Sequence, residues 1–116
     1  MKRGEIWTAS GGPDYAGKPR PVLIVQDDAF AETGSVTVCL ITTQALDVGL
    51  VRPALEPGPA TGLREPSWVM ADRITTVPRG RLGRRLGRLA PAEMPAVNRA
   101  MMVFLGLTSP SSRQRP

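Results

Sequence analysis

The chain has 116 residues, 41% of them hydrophobic and 22% charged, which predicts one globular domain with no apolar run near the roughly 20 residues a membrane-crossing helix needs. Fifteen Lys and Arg against ten Asp and Glu give a net charge of +5, a bias toward polyanionic partners. With no histidine and a single cysteine, Cys39, the chain excludes imidazole acid–base pairs, His-containing or Cys-rich zinc sites and an internal disulfide.

In chain order, the basic start is followed by no apolar stretch of signal-peptide length. Export is therefore not expected, and the lone thiol suits the reducing cytoplasm. Residues 5–9 alternate enough for a short strand, whereas residues 10–19 hold three glycines and two prolines and predict a loop. Residues 21–26 are apolar on both faces, the pattern of a strand buried in a barrel or sandwich, and residues 27–34 turn the chain. Residues 35–43 form the clearest strand, with Val36, Val38 and Leu40 on one face and Thr37, Cys39 and Ile41 on the other. Its end presents Thr42, Thr43 and Gln44.

Residues 50–55 predict another short strand and residues 56–62 a turn-rich connection. Two extended segments are expected at 67–71 and 73–77, with Asp72 between them. From 79 to 89, Gly80, Gly83 and Gly87 oppose a helix, since each internal Gly costs about 1 kcal/mol relative to Ala; a turn and a short edge strand are predicted instead. A helix follows, because Met94, Val97, Met101, Phe104 and Leu105 recur at helical spacing, Gly106 is a natural stop, and Pro91 or Pro95 suits the first turn. Residues 109–116 read as a frayed polar tail after a single domain over 1–108.

Short strands with Gly- and Pro-rich turns and one closing amphipathic helix predict a mainly β fold: a strongly bent antiparallel sheet or open barrel with a C-terminal helix. So small a core favours burial against a second copy. Trp7 and Cys39 are expected to pack in the interior. The cluster Arg79, Arg81, Arg84, Arg85 and Arg88 reads equally well as a phosphate-binding face or as ordinary solvated charge.

Several segments in this order are similar to one known family: Lys-Arg-Gly-Glu-Ile-Trp at 2–7, Gly-Lys-Pro-Arg-Pro-Val-Leu-Ile-Val-Gln at 17–26, Leu-Ile-Thr-Thr-Gln at 40–44, Met-Ala-Asp-Arg-Ile-Thr-Thr-Val at 70–77, and Phe-Leu-Gly-Leu at 104–107. Together they resemble the MazF/PemK toxins over nearly the whole chain. The resemblance implies a small SH3-like barrel, a homodimer, neutralisation by a cognate antitoxin protein, and a cofactor-free, metal-independent endoribonuclease that cuts single-stranded RNA, with mRNA the expected target. The products it implies are 2′,3′-cyclic phosphate and 5′-hydroxyl ends. Motif by motif, it assigns the catalytic positions to Arg20 and Thr42. It puts Thr43, Gln44, Asp72 and Arg73 near the RNA, and the basic residues Lys18, Arg79 and Arg81 are added as candidate phosphate contacts. The Met94, Met101 and Met102 surface suits the core or a dimer contact, and also an antitoxin segment.

The first loop departs from the family pattern, because it carries no Glu before the Arg-Pro pair, and Asp14 is not a safe substitute. The proton acceptor is left unassigned. Cleavage without metal uses the substrate's own 2′-hydroxyl as nucleophile, a group DNA lacks. The planar guanidinium of Arg20 suits the developing phosphoryl charge. Because it keeps its proton, it stabilises charge rather than accepting a proton. The β-branched Thr42 suits a positioning role. Two alternatives accompany this reading. One is a gyrase-directed toxin of the CcdB kind, although the Trp-Gly-Ile ending of those proteins is absent here. The other is a non-catalytic RNA-binding barrel.

Overall fold

The computed structural model describes residues 1–11, 18–45 and 50–110. Among these residues, six strands, β1 (Glu5–Ala9), β2 (Arg20–Ile24), β3 (Ser35–Thr42), β4 (Ala54–Leu55), β5 (Ser67–Pro78) and β6 (Leu82–Arg88), precede one α-helix, α1 (Met94–Phe104). They form one antiparallel sheet in the order β4-β5-β3-β2-β1-β6, curled into a half-barrel.

Period-two alternation divides the interior into two clusters, one on each face of the central strands. Val22, Ile24, Val36, Val38 and Leu40 pack on one face with Ala9, Val77 and Leu82. Leu23, Val25, Cys39, Ile41 and Val69 pack on the other, under Met94, Val97 and Met101 of α1. Residues 22–25 are apolar throughout because both of their faces are covered. Trp7 lies against the first cluster and donates its indole N–H to Glu5 Oε1 at 2.9 Å. Cys39 is fully buried, which pushes its thiol up to about 12.

The structure refines several expected elements. The extended segments at 67–71 and 73–77 are one strand, and Asp72 lies in a bulge: Leu40 pairs with Met70 while its neighbour Cys39 pairs with Ile74. Of residues 50–55, only Ala54 and Leu55 are strand. Residues 51–53 still run along β5, with Val51 and Pro53 carbonyls accepting from the Ala71 and Val69 amides, both at 2.9 Å, but Pro53 has no N–H to extend the ladder. Residues 79–89 form a short 3-10 turn and then β6, which pairs with β1 and lies at one edge of the sheet.

In α1, Met94, Val97 and Met101 face the core as expected, whereas Phe104, the last helical residue, and Leu105, its cap, are 48% and 56% exposed. Pro95 occupies the first turn. Gly106, at φ +78°, ends the helix, and the Gly106 and Leu107 amides return to the Val103 and Met102 carbonyls. Residues 12–17 of the expected first loop, including Asp14, and residues 111–116 of the expected tail lie outside the described residues.

Candidate active site

β2 begins where β3 ends, and this sets up the site. The two strands pair with Val22 opposite Leu40, Leu23 opposite Cys39 and Ile24 opposite Val38. Continuing that register sets Arg20 across from Thr42. Pro21 keeps Arg20 extended, since the residue before proline is disfavoured in helical conformation. Beyond Thr42 the chain leaves the sheet in a local turn whose Gln44 amide donates to Thr42 Oγ1 at 3.1 Å. That bond and the β-branch hold the threonine side chain in place.

A cavity of about 280 Å³ opens here, lined by Arg20, Thr42, Thr43 and Gln44, with Pro21, Leu40, Ile41 and Met70 as its apolar wall. An exposed guanidinium, a fixed hydroxyl and a loop amide thus share a concavity that admits solvent. Such a set binds an anionic oxygen and stabilises charge developing on it. Four of the sequence-derived candidates meet at this point.

The other five line no part of this cavity. Asp72 accepts from two of the three Arg52 guanidinium nitrogens, Nε to Oδ1 at 2.9 Å and Nη2 to Oδ2 at 2.8 Å. Arg52 is 9% exposed. Its hydrogen bonds hold the Asp72 carboxyl below the usual range, outweighing burial, and the same bonds raise Arg52. Arg73 is exposed on the same bulge. Arg79 donates Nε and Nη2 to the Thr33 carbonyl at 3.0 and 2.7 Å, Nη2 also to the Ala31 carbonyl, and Nη1 to Met1 Sδ. It stands by the Ser35–Pro78 end of the β3–β5 ladder, whereas Thr42 pairs with Trp68 at the other end. Seven residues of strand separate the two ends, about 23 Å. Arg79 therefore ties down the 31–33 turn. Arg81 is exposed and lies over Gly11, and Lys18 is exposed on the approach to β2.

Sequence reasoning missed Arg52, a lone base within an otherwise apolar segment, because nothing local announces a partner twenty residues away. It also missed Met70 as a wall of the cavity, since that role depends on the β3–β5 register. Arg64 and Glu65, which lie between the connection expected at 56–62 and the strand expected from 67, stand in an adjoining cavity. Among the described residues no group of three or more Cys, Asp or Glu is arranged to hold a metal ion. Among them also, no helix is long and apolar enough to cross a membrane.

Comparison with known proteins agrees with this architecture. Residues 2–105 match the family model of the PemK-like, MazF-like toxin of type II toxin–antitoxin systems. The chain is 53% identical over 107 residues to a probable endoribonuclease MazF of Mycolicibacterium smegmatis, covering 92% of this chain and 98% of that protein. It is 30% identical to endoribonuclease MazF9 of Mycobacterium tuberculosis, covering 94% and 99% of the two chains. Its structure superposes with a TM-score of 0.78 and 30% identity on a mycobacterial endoribonuclease solved in complex with its cognate antitoxin, covering 93% and 97%. The chain belongs to the PemK-like, MazF-like toxins of type II toxin–antitoxin systems.

Proposed function

We propose that the chain is the toxin of such a pair and acts in the cytoplasm as a homodimeric endoribonuclease, cutting single-stranded RNA, mRNA above all, until a cognate antitoxin protein covers it. Its relatives carry the name endoribonuclease, and a structural neighbour was solved with its antitoxin. The observation that carries the chemistry is the juxtaposition of Arg20 and Thr42 in one solvent-open cavity.

In this reading the RNA 2′-hydroxyl attacks the adjacent phosphorus in line. The 2′-hydroxyl proton passes to solvent, the bond to the 5′ oxygen breaks and that oxygen takes up a proton, leaving 2′,3′-cyclic phosphate and 5′-hydroxyl ends. Because the nucleophile belongs to the substrate, no step requires a metal-bound hydroxide. Arg20 donates to the non-bridging phosphoryl oxygens as they gain charge and protonates the departing oxygen only secondarily, since a guanidinium rarely gives up its proton. Thr42 holds the reacting phosphate or 2′-hydroxyl in line. Thr43 and Gln44 line the path of the strand. Lys18, Arg73 and Arg81 are peripheral contributors to the field that draws RNA to this side.

The test is cleavage of a long mixed-sequence RNA in EDTA, with both new ends mapped. Wild-type protein cuts at a short sequence and leaves cyclic phosphates. Arg20→Ala lowers kcat about 100- to 1000-fold, as loss of an oxyanion donor does, and Thr42→Val lowers it about 10-fold or more. Intact RNA, or an Arg20→Ala protein as active as the wild type, defeats the proposal.

A further inference from the structure

The cavity at Arg20 and Thr42 continues past Pro21 and Thr43. These two residues also wall a second cavity of about 510 Å³, whose far side carries Arg64, Glu65, Arg84 and Arg85. Two backbone features bring these side chains together.

The first is the irregular pairing of β6 with β1. Ile6 faces Gly87, Trp7 faces Arg85 and Ala9 faces Leu82, so three steps along β1 are matched by five along β6. Extra residues in a strand re-aim its side chains. The consecutive residues Arg84, Arg85 and Leu86 thus all line one cavity instead of alternating between faces. Thr8 Oγ1 accepts from the Arg84 amide at 3.0 Å where the ladder is broken. A Cβ on Gly83 would sit 2.5 Å from that oxygen, so only glycine allows the approach.

The second is the press of the 60–62 turn onto β6. A Cβ at Gly62 would overlap the Leu86 carbonyl, and one at Gly87 would overlap the Ala60 carbonyl. This backbone-to-backbone contact delivers Arg64 and Glu65 beside Arg84. Arg85 is tied to Glu5, Nε to Oε2 at 3.3 Å. Arg64 and Arg84 are both exposed, and among the described residues no carboxylate pairs with either.

We propose that this second cavity is a binding site for a flanking part of the RNA strand, with Arg64 and Arg84 gripping the phosphodiester of a nucleotide beside the cleaved one. The inference rests on the RNA-cleaving reading above. A cavity of this volume, within the range of small-ligand sites, accommodates one nucleotide. Two guanidiniums that no carboxylate of the described residues pairs with suit a phosphate, whose oxygens accept charge-assisted hydrogen bonds. Continuity through Pro21 and Thr43 allows one strand to occupy both cavities.

The experiment uses the full chain, the double variant Arg64→Ala/Arg84→Ala and the charge-preserving Arg64→Lys/Arg84→Lys. The substrates are RNAs that share the mapped cleavage sequence and are trimmed one nucleotide at a time from either end. For the alanine variant on the long RNA, KM rises about 10- to 100-fold, from the loss of charge-assisted bonds. The slope of log kcat/KM against log salt flattens by about 0.7, from the loss of one neutralised single-strand phosphate. Trimming one particular end penalises the wild type but adds nothing to the defect of the alanine variant, and the lysine variant recovers most of the loss. Equal losses on long and trimmed RNA would overturn the proposal, as would an unchanged salt slope, or a sedimentation shift showing that the cavity is a subunit contact. If the wild type cuts no RNA, the endoribonuclease reading falls and takes this one with it. Cleavage with unaltered variants removes this one alone.

Discussion

Replacing Asp72 with alanine leaves the guanidinium of Arg52, 9% exposed, without the two oxygens that face it at 2.9 and 2.8 Å. Breaking a fully buried ion pair from one side costs about 3–5 kcal/mol, mostly from the charge left behind. Asp72 is 24% exposed, so water reaches the gap, and the expected loss is about 2–3 kcal/mol. With an unfolding entropy of about 2.1 cal/mol/K per residue over this chain, Tm falls by about 8–12 °C. Removing both charges is different, because neither is stranded: Arg52→Met/Asp72→Leu is expected within about 1 kcal/mol of the wild type.

The pH dependence follows from the same pair. The Asp72 pKa is lowered on folding by the Arg52 hydrogen bonds from a usual value of 3.8. Its stabilisation is therefore present above that value and is lost as pH falls through the lower folded one. Calorimetric melts from pH 7 to pH 2 read both effects. An Asp72→Ala protein that melts within about 2 °C of the wild type, or a double replacement no more stable than the single one, would show that no stranded Arg52 charge costs stability.

Three further outcomes are expected. Gly62→Ala combines a left-handed φ of +73° with overlap of the Leu86 carbonyl, and a loss of at least about 2 kcal/mol should appear as a lower urea midpoint. Arg79→Ala releases the turn that its guanidinium holds through the Ala31 and Thr33 carbonyls; about 1–2 kcal/mol is lost, with faster amide exchange over residues 28–34. Cys39, buried and with its thiol pushed up to about 12, should resist a thiol reagent in the native protein and react fully in 6 M guanidinium, and rapid native labelling would contradict the packing described for β3.

Much of the fold was legible locally because it depends on period and punctuation. The alternation in residues 35–42 identified both faces of β3, and the uninterrupted apolar run from Val22 to Val25 identified a strand covered on both sides. Glycines and prolines marked the turns. Phe104 and Leu105 continued the helical period and still emerged exposed at the helix end, because periodicity says which side of a helix a residue is on but not what packs against it. Asp72 looked like a break between two strands; a bulge kept the strand continuous.

Composition and motif order by themselves determined that the chemistry proceeds without histidine, that the chain is a small mainly β domain with a C-terminal helix, and that the family's motif positions fall on Arg20 and Thr42. Tertiary structure alone decided which candidates share a cavity. Register set Arg20 across from Thr42, and the length of β3 carried Arg79 to its far end. A long-range pairing turned Asp72 toward Arg52, while the bulges of β6 with the close approach at Gly62 and Gly87 gathered Arg64 and Arg84. The physical reason is common to all of these: a side chain's type and local period are set by its neighbours in sequence, whereas its partners are set by strand register and backbone contact between segments far apart in the chain.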